Sequence, residues 1–359
     1  MKILENVPLA PLTTFEIGGP ARWFVEAASE EDIAAAVAWA KERSLPLFVL
    51  GGGSNLLIAD AGFPGLVLKI ALRGFEILTA STPETAILRA AAGEQWEDCV
   101  QQSLEANLAG LESLAGIPGT VGGTPVQNVG AYGQEVSSVI DRVRAYDRLQ
   151  DRWIEFTNPE CAFAYRHSRF NSTDRDRYIV TRVDYLLRRN AAPNIRYADL
   201  QRALTAQAEA AGRTLDSFSL PEVADAVRSV RRSKGMFMVP GEADCRSAGS
   251  FFKNPAVDAA ALERIRLQSG QEPPHFPAPD GLFKVPAAWL IEKAGFARGF
   301  SIGAAGISTR HTLALTNRGG ATAEAVLALA KEIACGVEAR FGVQLTMEPV
   351  RVGFLSAQD

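Results

Sequence analysis

The chain of 359 residues is long enough for two or three domains, and 47% hydrophobic with 22% charged residues is the composition of an ordinary globular protein. A net charge of −4 argues against nucleic acid as a partner, because phosphate backbones are bound by basic surfaces. Four widely spaced cysteines, Cys99, Cys161, Cys245 and Cys335, fit reduced thiols, and with only three histidines no metal site is expected. "MKILENVPLA" has no apolar core after its basic start, and no apolar run could cross a bilayer. A cytoplasmic chain with no membrane partner is therefore expected.

In chain order, Ser29 and Asp32 are spaced as a capping box ahead of a helix whose Ile33, Val37 and Ala40 share one face. "LPLFVL" (45–50) and "GLVLKI" (65–70) read as buried strands, closing a first α/β unit over 1–70. A second unit, 71–234, opens with the strand "AILRAAAG" and a helix from about Gln95 to Ala106, closed near Gly110. Alternating segments such as "VIDRVRAY" and "YIVTRVDYLL" suit sheet strands, and 200–234 is helical and charged. From 235 to 342 the pattern is again mixed: helices over 258–269, 286–294 and 322–340, a Pro-rich loop "QEPPHFPAPDG" and a strand "TLALTN". A last strand falls in 343–359.

Two glycine-dense stretches stand out. Gly51, Gly52 and Gly53, followed by Ser54 and Asn55, come directly after a strand, where consecutive glycines allow close backbone approach and turn N–H groups towards an anion. The run lacks the Lys-Ser/Thr of a Walker A loop and leads into the apolar "NLLIAD", not into the helix of a GxGxxG fingerprint. A tight structural turn is the alternative. The second stretch, "GIPGTVGGTPVQNVGAYGQ" (116–134), has no charged side chain and interleaves Ile117, Val121, Val126, Val129 and Tyr132 with its glycines. Such buried, uncharged backbone implies close packing on a large flat ligand, because its polar groups still need partners. Two such loops suggest a dinucleotide; structural turns remain the alternative.

A third stretch, "AGSFFKNP" (248–255), places one hydroxyl between a glycine and two phenylalanines, with a lysine and an asparagine behind. It reads as a hydroxyl held in an apolar wall with a cation nearby; a serine capping a turn is the alternative.

"TTFEIGGPA" (13–21), "GGGSNLL" (51–57), "GIPGTVGGTPVQNVGAYG" (116–133), "YRHSRF" (165–170), "GSFFKNP" (249–255) and "MEPVRVGF" (347–354) together resemble the motifs of the UDP-N-acetylenolpyruvoylglucosamine reductase family, in order and over nearly the whole chain. Tyr197 in "IRYADL" matches the tyrosine of the subgroup with a substrate-facing tyrosine loop. The resemblance implies an α+β protein: a two-part FAD-binding fold of the vanillyl-alcohol-oxidase type, here 1–70 and 71–234, plus a separate substrate-binding domain, 235–342. It also implies that 343–359 carries Glu348 back to the active site. The implied reaction is the NADPH-dependent, FAD-mediated reduction of an enolpyruvyl ether to a lactyl ether, with non-covalent FAD, in peptidoglycan precursor synthesis. The partners implied are NADPH and a nucleotide sugar, sharing one pocket in turn, and the enzyme is expected as a monomer.

By the same resemblance FAD lies on Gly51, Gly52, Gly53, Ser54 and Asn55 of the first loop. In the second it lies on Gly116, Ile117, Pro118, Gly119, Gly122, Gly123, Thr124, Asn128, Gly130 and Ala131. Hydride addition leaves an enolate, which calls for positive charge at the carboxylate and one acid beside the carbon. Ser250 matches the family's proton donor, with Arg166 and Glu348 at the substrate carboxylate. Arginine offers a planar two-point fork, and Glu348 helps if protonated or as an orienter of Arg166. By sequence alone Arg166 and Glu348 could equally be halves of surface ion pairs. Tyr132, Tyr197, Lys234, Lys253, Asn254 and Lys293 are expected at the substrate, with Tyr197 and Lys234 on its diphosphate. The segment between Tyr197 and Ser250 is longer than in typical members, which bears on Lys234; a solvated helix charge is the alternative for Lys293. Trp289 and Phe296 are expected in the core. The rival enzyme is a flavin oxidase of alcohols or sugars, many of which tether the flavin through His or Cys, absent from 51–57 and 116–133. A non-catalytic flavin binder is the rival from outside enzymology.

Overall fold

The computed structural model describes residues 1–195 and 197–354; of the expected terminal strand segment, 355–359 lies outside the described residues. The chain forms two compact units, one of 1–7, 21–52 and 64–232, the other of 8–20, 53–63 and 233 onward. The stretch 1–70 thus contributes to both.

The first unit contains a four-stranded sheet in the order Leu4–Pro8, Pro20–Ala27, Phe63–Ile70, Leu47–Leu50, the last two parallel. Helix α1 (Glu30–Glu42) starts where the sequence places it, with Ser29 Oγ accepting from Asp32 N at 3.2 Å, and Ile33, Ala36, Val37 and Ala40 are buried. Only half of the expected capping box forms, because the Asp32 carboxylate accepts from Ala28 N and pairs with the N-terminal ammonium at 3.1 Å. A second sheet runs in the order Arg152–Thr157, Ile140–Asp147, Tyr178–Arg189, Thr85–Ala91, Phe75–Thr79, antiparallel throughout. Helix α2 (Trp96–Glu105) gives way to Asn107 in the left-handed region (φ +52°), not to Gly110; asparagine tolerates that conformation better than most non-glycine residues. Helices α3 (Ala198–Ala211) and α4 (Leu220–Ser233) replace the single helical run expected over 200–234, parted at Gly212. The core joins α2 to the sheets, with the Trp96 and Tyr185 rings edge to face at 5.7 Å.

In the second unit helices α5 (Ala259–Ser269), α6 (Ala287–Lys293) and α7 (Ala323–Phe341) match the expected spans within a residue or two. They pack with short strands around Val326, Leu329, Ile333 and Val337 of α7; Trp289 and Phe296 join this core partly buried, as expected. Leu56–Ile58 pairs in parallel with Val350–Val352. One buried side chain explains why residues 8–20 fold with a segment hundreds of positions away. Asn317 Nδ2 donates to Phe15 O (3.1 Å) and Glu16 O (3.3 Å), while its Oδ1 accepts from Gly319 N (2.9 Å) and Ala321 N (3.0 Å). Among the described residues no helix is long and apolar enough to cross a membrane.

Asn317→Ala leaves four backbone groups, the buried Phe15 carbonyl among them, without that partner, so a loss of about 2–3 kcal/mol is expected in urea unfolding; an unchanged midpoint would contradict it. Burial pushes the Cys161 thiol up to about 12 and that of Cys99 well above the usual range, and Cys245 is also buried. These thiols stay protonated and shielded at pH 8, so Ellman's reagent should titrate exposed Cys335 alone in the native protein.

Candidate active site

In the first unit the two glycine stretches meet backbone to backbone. A Cβ on Gly52 would stand 2.5 Å from Gly119 Cα and 2.9 Å from Thr120 N, so no other residue fits there without moving a main chain. The second stretch is held by its surroundings. Trp96 N donates to Gly119 O (3.0 Å), Gly122 N to Ala92 O (2.9 Å), and Val121 N to Glu94 O (2.9 Å). Both polar groups of Gly116 are taken by charged side chains: Gly116 N donates to Glu97 Oε2 (2.5 Å), and Gly116 O accepts from Arg231 Nε (2.9 Å). Thr120 Oγ1 is buried without a hydrogen-bond partner among the described residues, and beside Gly123 a Cβ would meet nothing within 4 Å. A buried orphan hydroxyl and an open backbone face, next to glycines packed to contact, fit a bound polar planar group such as a flavin nucleotide.

Two of the side chains expected on the cofactor are also bonded within the protein. Thr124 Oγ1 donates to Val121 O (2.8 Å) and shares a hydrogen with Tyr185 OH (2.7 Å), whose buried phenol is pushed well above its usual range. Asn128 donates through Nδ2 to Glu135 (2.8 Å) and Ala164 O (3.0 Å) and accepts from Ser137 N (3.1 Å), so it ties loops together. Gly53, Ser54 and Asn55 belong to the second unit. Gly53 has φ +64°, and a side chain there would collide with the Leu12 carbonyl, so this glycine serves packing.

Arg166 sits in a tight turn in which Ala164 and His167 exchange two backbone hydrogen bonds of 3.0 Å. Its Nη2 donates to Gly130 O at 2.8 Å, and Ser168 Oγ donates to Val126 O at 2.6 Å, lacing "YRHSRF" to the second glycine stretch. Tyr132 and Tyr197, far apart in sequence, place their rings edge to face at 5.5 Å. Arg231 completes this group and was not foreseen. It is 9% exposed, burial pulls its guanidinium down from the ordinary value, and Tyr132 offsets part of that. The available signal was its spacing: Ala224, Val227 and Arg231 recur at helical period, so a cation lies on the apolar face of α4. Glu97 carried no comparable signal.

In the second unit "GSFFK" is held on both sides. Phe251 N donates to Leu313 O (2.7 Å), Glu348 N to Phe251 O (2.9 Å) and Lys253 N to Thr346 O (2.9 Å), around a bridge between Phe252 and Met347. Phe251 and Phe252 are buried with their rings edge to face at 5.3 Å, as an anchor should be. Gly249 takes φ +70° with open space where a side chain would lie, and Ser250 follows it half-buried. Glu348 is set by Asn55, whose Nδ2 donates to Glu348 O (3.3 Å) and whose carbonyl accepts from Val350 N (2.9 Å). Ser250 and Glu348 therefore ride on directly paired segments. Asn254 Oδ1 accepts from Ala287 N (2.9 Å) at the start of α6, so that atom is committed to the fold. Lys293 lies over the Trp289 ring at 5.8 Å. Lys234 precedes Gly235, which packs on Ser308 and Arg310, beside the pairing of Arg310 with Glu242 (2.9 Å).

Residues 21–150 match the family profile described as FAD binding domain, and 240–352 match that of the C-terminal domain of UDP-N-acetylenolpyruvoylglucosamine reductase. The UDP-N-acetylenolpyruvoylglucosamine reductase of Streptomyces coelicolor is 49% identical over 98% of this chain and 90% of its own length. That of Thermobifida fusca is 46% identical, over 97% and 98%. The crystal structure of the reductase from Thermus caldophilus superposes with a TM-score of 0.65 at 25% identity, covering 98% of both chains. With the resemblance carried through both units, the chain belongs to the UDP-N-acetylenolpyruvoylglucosamine reductase family, and its fold is that family's FAD-binding fold with a separate C-terminal domain.

Proposed function

We infer that the chain catalyses the reaction of its family, the reduction of the enolpyruvyl ether of UDP-N-acetylglucosamine enolpyruvate to UDP-N-acetylmuramate, an FAD-dependent step of peptidoglycan precursor synthesis. Bound FAD supplies the hydride, with NADPH as the source of electrons. We further propose that Gly51, Gly52 and the stretch Gly116–Ala131 carry the cofactor, the observation behind this being the Gly52–Gly119 approach beside the orphan Thr120 hydroxyl.

The chain's own task is to manage charge and a proton. Once hydride reaches the vinyl terminus, negative charge spreads over the neighbouring carbon and its carboxylate. Arg166 pairs with that carboxylate; its turn and its bond to Gly130 O set the guanidinium in advance, so little reorganisation is needed as charge grows. Ser250 delivers the proton. A hydroxyl is a weak acid, but an enolate carbon is a strong base, and Gly249 leaves the approach open while Phe251 and Phe252 hold the segment and exclude water. Glu348, on the segment paired with Phe251, serves the substrate carboxylate either as a protonated hydrogen-bond donor or as an orienter of Arg166. Tyr132, Tyr197, Lys234, Lys253, Asn254 through its amide nitrogen, and Lys293 bind the nucleotide sugar. NADPH and the nucleotide sugar are cytosolic metabolites, which supports a cytoplasmic enzyme, and we propose that it works as a monomer.

An anaerobic titration tests the reaction. NADPH should bleach the yellow protein, and colour should return on adding the enolpyruvyl nucleotide sugar; bleaching that this sugar does not reverse rules the reading out. Ser250→Ala should leave reduction by NADPH nearly unchanged and slow reoxidation by substrate about 10²- to 10⁴-fold, and normal turnover would remove Ser250 from the mechanism. Arg166→Lys should lower kcat/KM by about 10²-fold in steady-state assays, because a point charge does not reproduce a two-point fork.

A further inference from the structure

We propose that Glu112 is a positioning residue for the tyrosine pair, setting Tyr132 and Tyr197 against each other through the main chains that carry them. This rests on the reading that the pair meets the nucleotide sugar. Glu112 has no exposed surface, in a place where leucine would fill the volume at no electrostatic cost. Its two oxygens are each committed to a backbone amide: Oε2 accepts from Gly110 N at 2.7 Å, and Oε1 accepts from Asn194 N at 2.8 Å. Charge-assisted bonds of this kind are short, strong and directional, which is the use a buried carboxylate has here.

Each amide leads to one tyrosine. On the first side Gly110 O accepts from Gln134 Nε2, and Gln134 pairs with Ala131 across the hairpin whose turn is Tyr132 and Gly133. On the second side Asn194 O accepts from Ser113 Oγ at 2.9 Å, so consecutive buried residues hold both polar groups of Asn194. Ile195 O then accepts from Gln201 Nε2 (3.0 Å), and Tyr197 O accepts from Gln201 N (2.8 Å) as α3 begins. The two chains of bonds start at one carboxylate and end at rings 5.5 Å apart. The carboxylate fixes where the backbones of the two tyrosines start.

Glu112→Gln in the holoenzyme tests this, since the amide must present N–H₂ to one of the two backbone N–H groups. Amide hydrogen exchange in the first turn of α3 should quicken by about tenfold or more, with the strand Ile140–Asp147 unaffected. KM for the nucleotide sugar should rise about tenfold, with kcat within about twofold and full flavin content. The Glu112→Gln/Tyr197→Ala double variant should raise KM no further than Tyr197→Ala alone. Should Glu112→Gln not fold, Ser113→Ala, which removes only the bond to Asn194 O, should move both readouts in the same direction. Unchanged exchange at the start of α3, or KM effects that simply add, overturns the proposal. If Tyr197→Ala leaves KM unaltered, the substrate role of the tyrosine fails, and the exchange measurement still decides the role of Glu112.

Discussion

Gly52 and Gly119 stand so close that a single methyl group on Gly52 would press into the main chain of the second loop. Most of what the first unit offers a flavin depends on that approach. It turns two loops from distant parts of the sequence into one continuous backbone surface, beside which the Thr120 hydroxyl is buried without a partner among the described residues. Loop backbone brought this close must be supported from outside, because glycine supplies no side chain to pack and has the most conformational freedom to lose. The support comes from neighbouring main chain at Ala92, Glu94 and Trp96, and from two charges, Glu97 and Arg231, that grip Gly116 from either side.

The same device recurs through the first unit. Charged side chains are spent on backbone N–H and C=O groups and not only on each other: Glu97 and Arg231 on Gly116, Glu112 on Gly110 and Asn194, Arg166 on Gly130. A buried charge is tolerable where a directional bond is formed in return, and loops of glycine and small apolar residues have few other means of being placed within a fraction of an ångström. Neutral amides do the corresponding work in the second unit. Asn317 collects residues 15–16, and Asn55 fixes the main chain on both sides of Pro349, so Ser250 and Glu348 sit on irregular segments held by bonds from their neighbours.

The helices and strands were largely legible in the sequence, since apolar period and caps are local properties: α1 with its Ser29 cap, α7 with its long apolar face, and the strands ending at Leu50 and Ile70 all lie where the pattern puts them. Two punctuation marks were misread, at Asn107 and at Gly212, where single residues in the left-handed region decide a chain reversal that composition shows only weakly. Of the site, the two glycine stretches and "GSFFK" stood out because their composition suits neither a plain turn nor a plain strand. Arg231 and Glu112 did not, since each reads in sequence as one more helix or loop charge.

By itself, then, the amino-acid order determined the family and the uncharged, glycine-dense character of the two loops, while the roles proposed for Ser250 and Arg166 rest on resemblance to that family and not on residue type or spacing alone. Only the tertiary structure decided that residues 8–20 and 53–63 fold with the distant C-terminal segment, that Gly53 is a packing glycine, and that Thr124 and Asn128 are already bonded within the protein. The physical reason is the same in each case. A hydrogen-bond partner hundreds of residues away, such as Phe15 O for Asn317, leaves no periodicity in the chain, and whether a polar atom is free for a ligand depends on neighbours that only folding brings within reach.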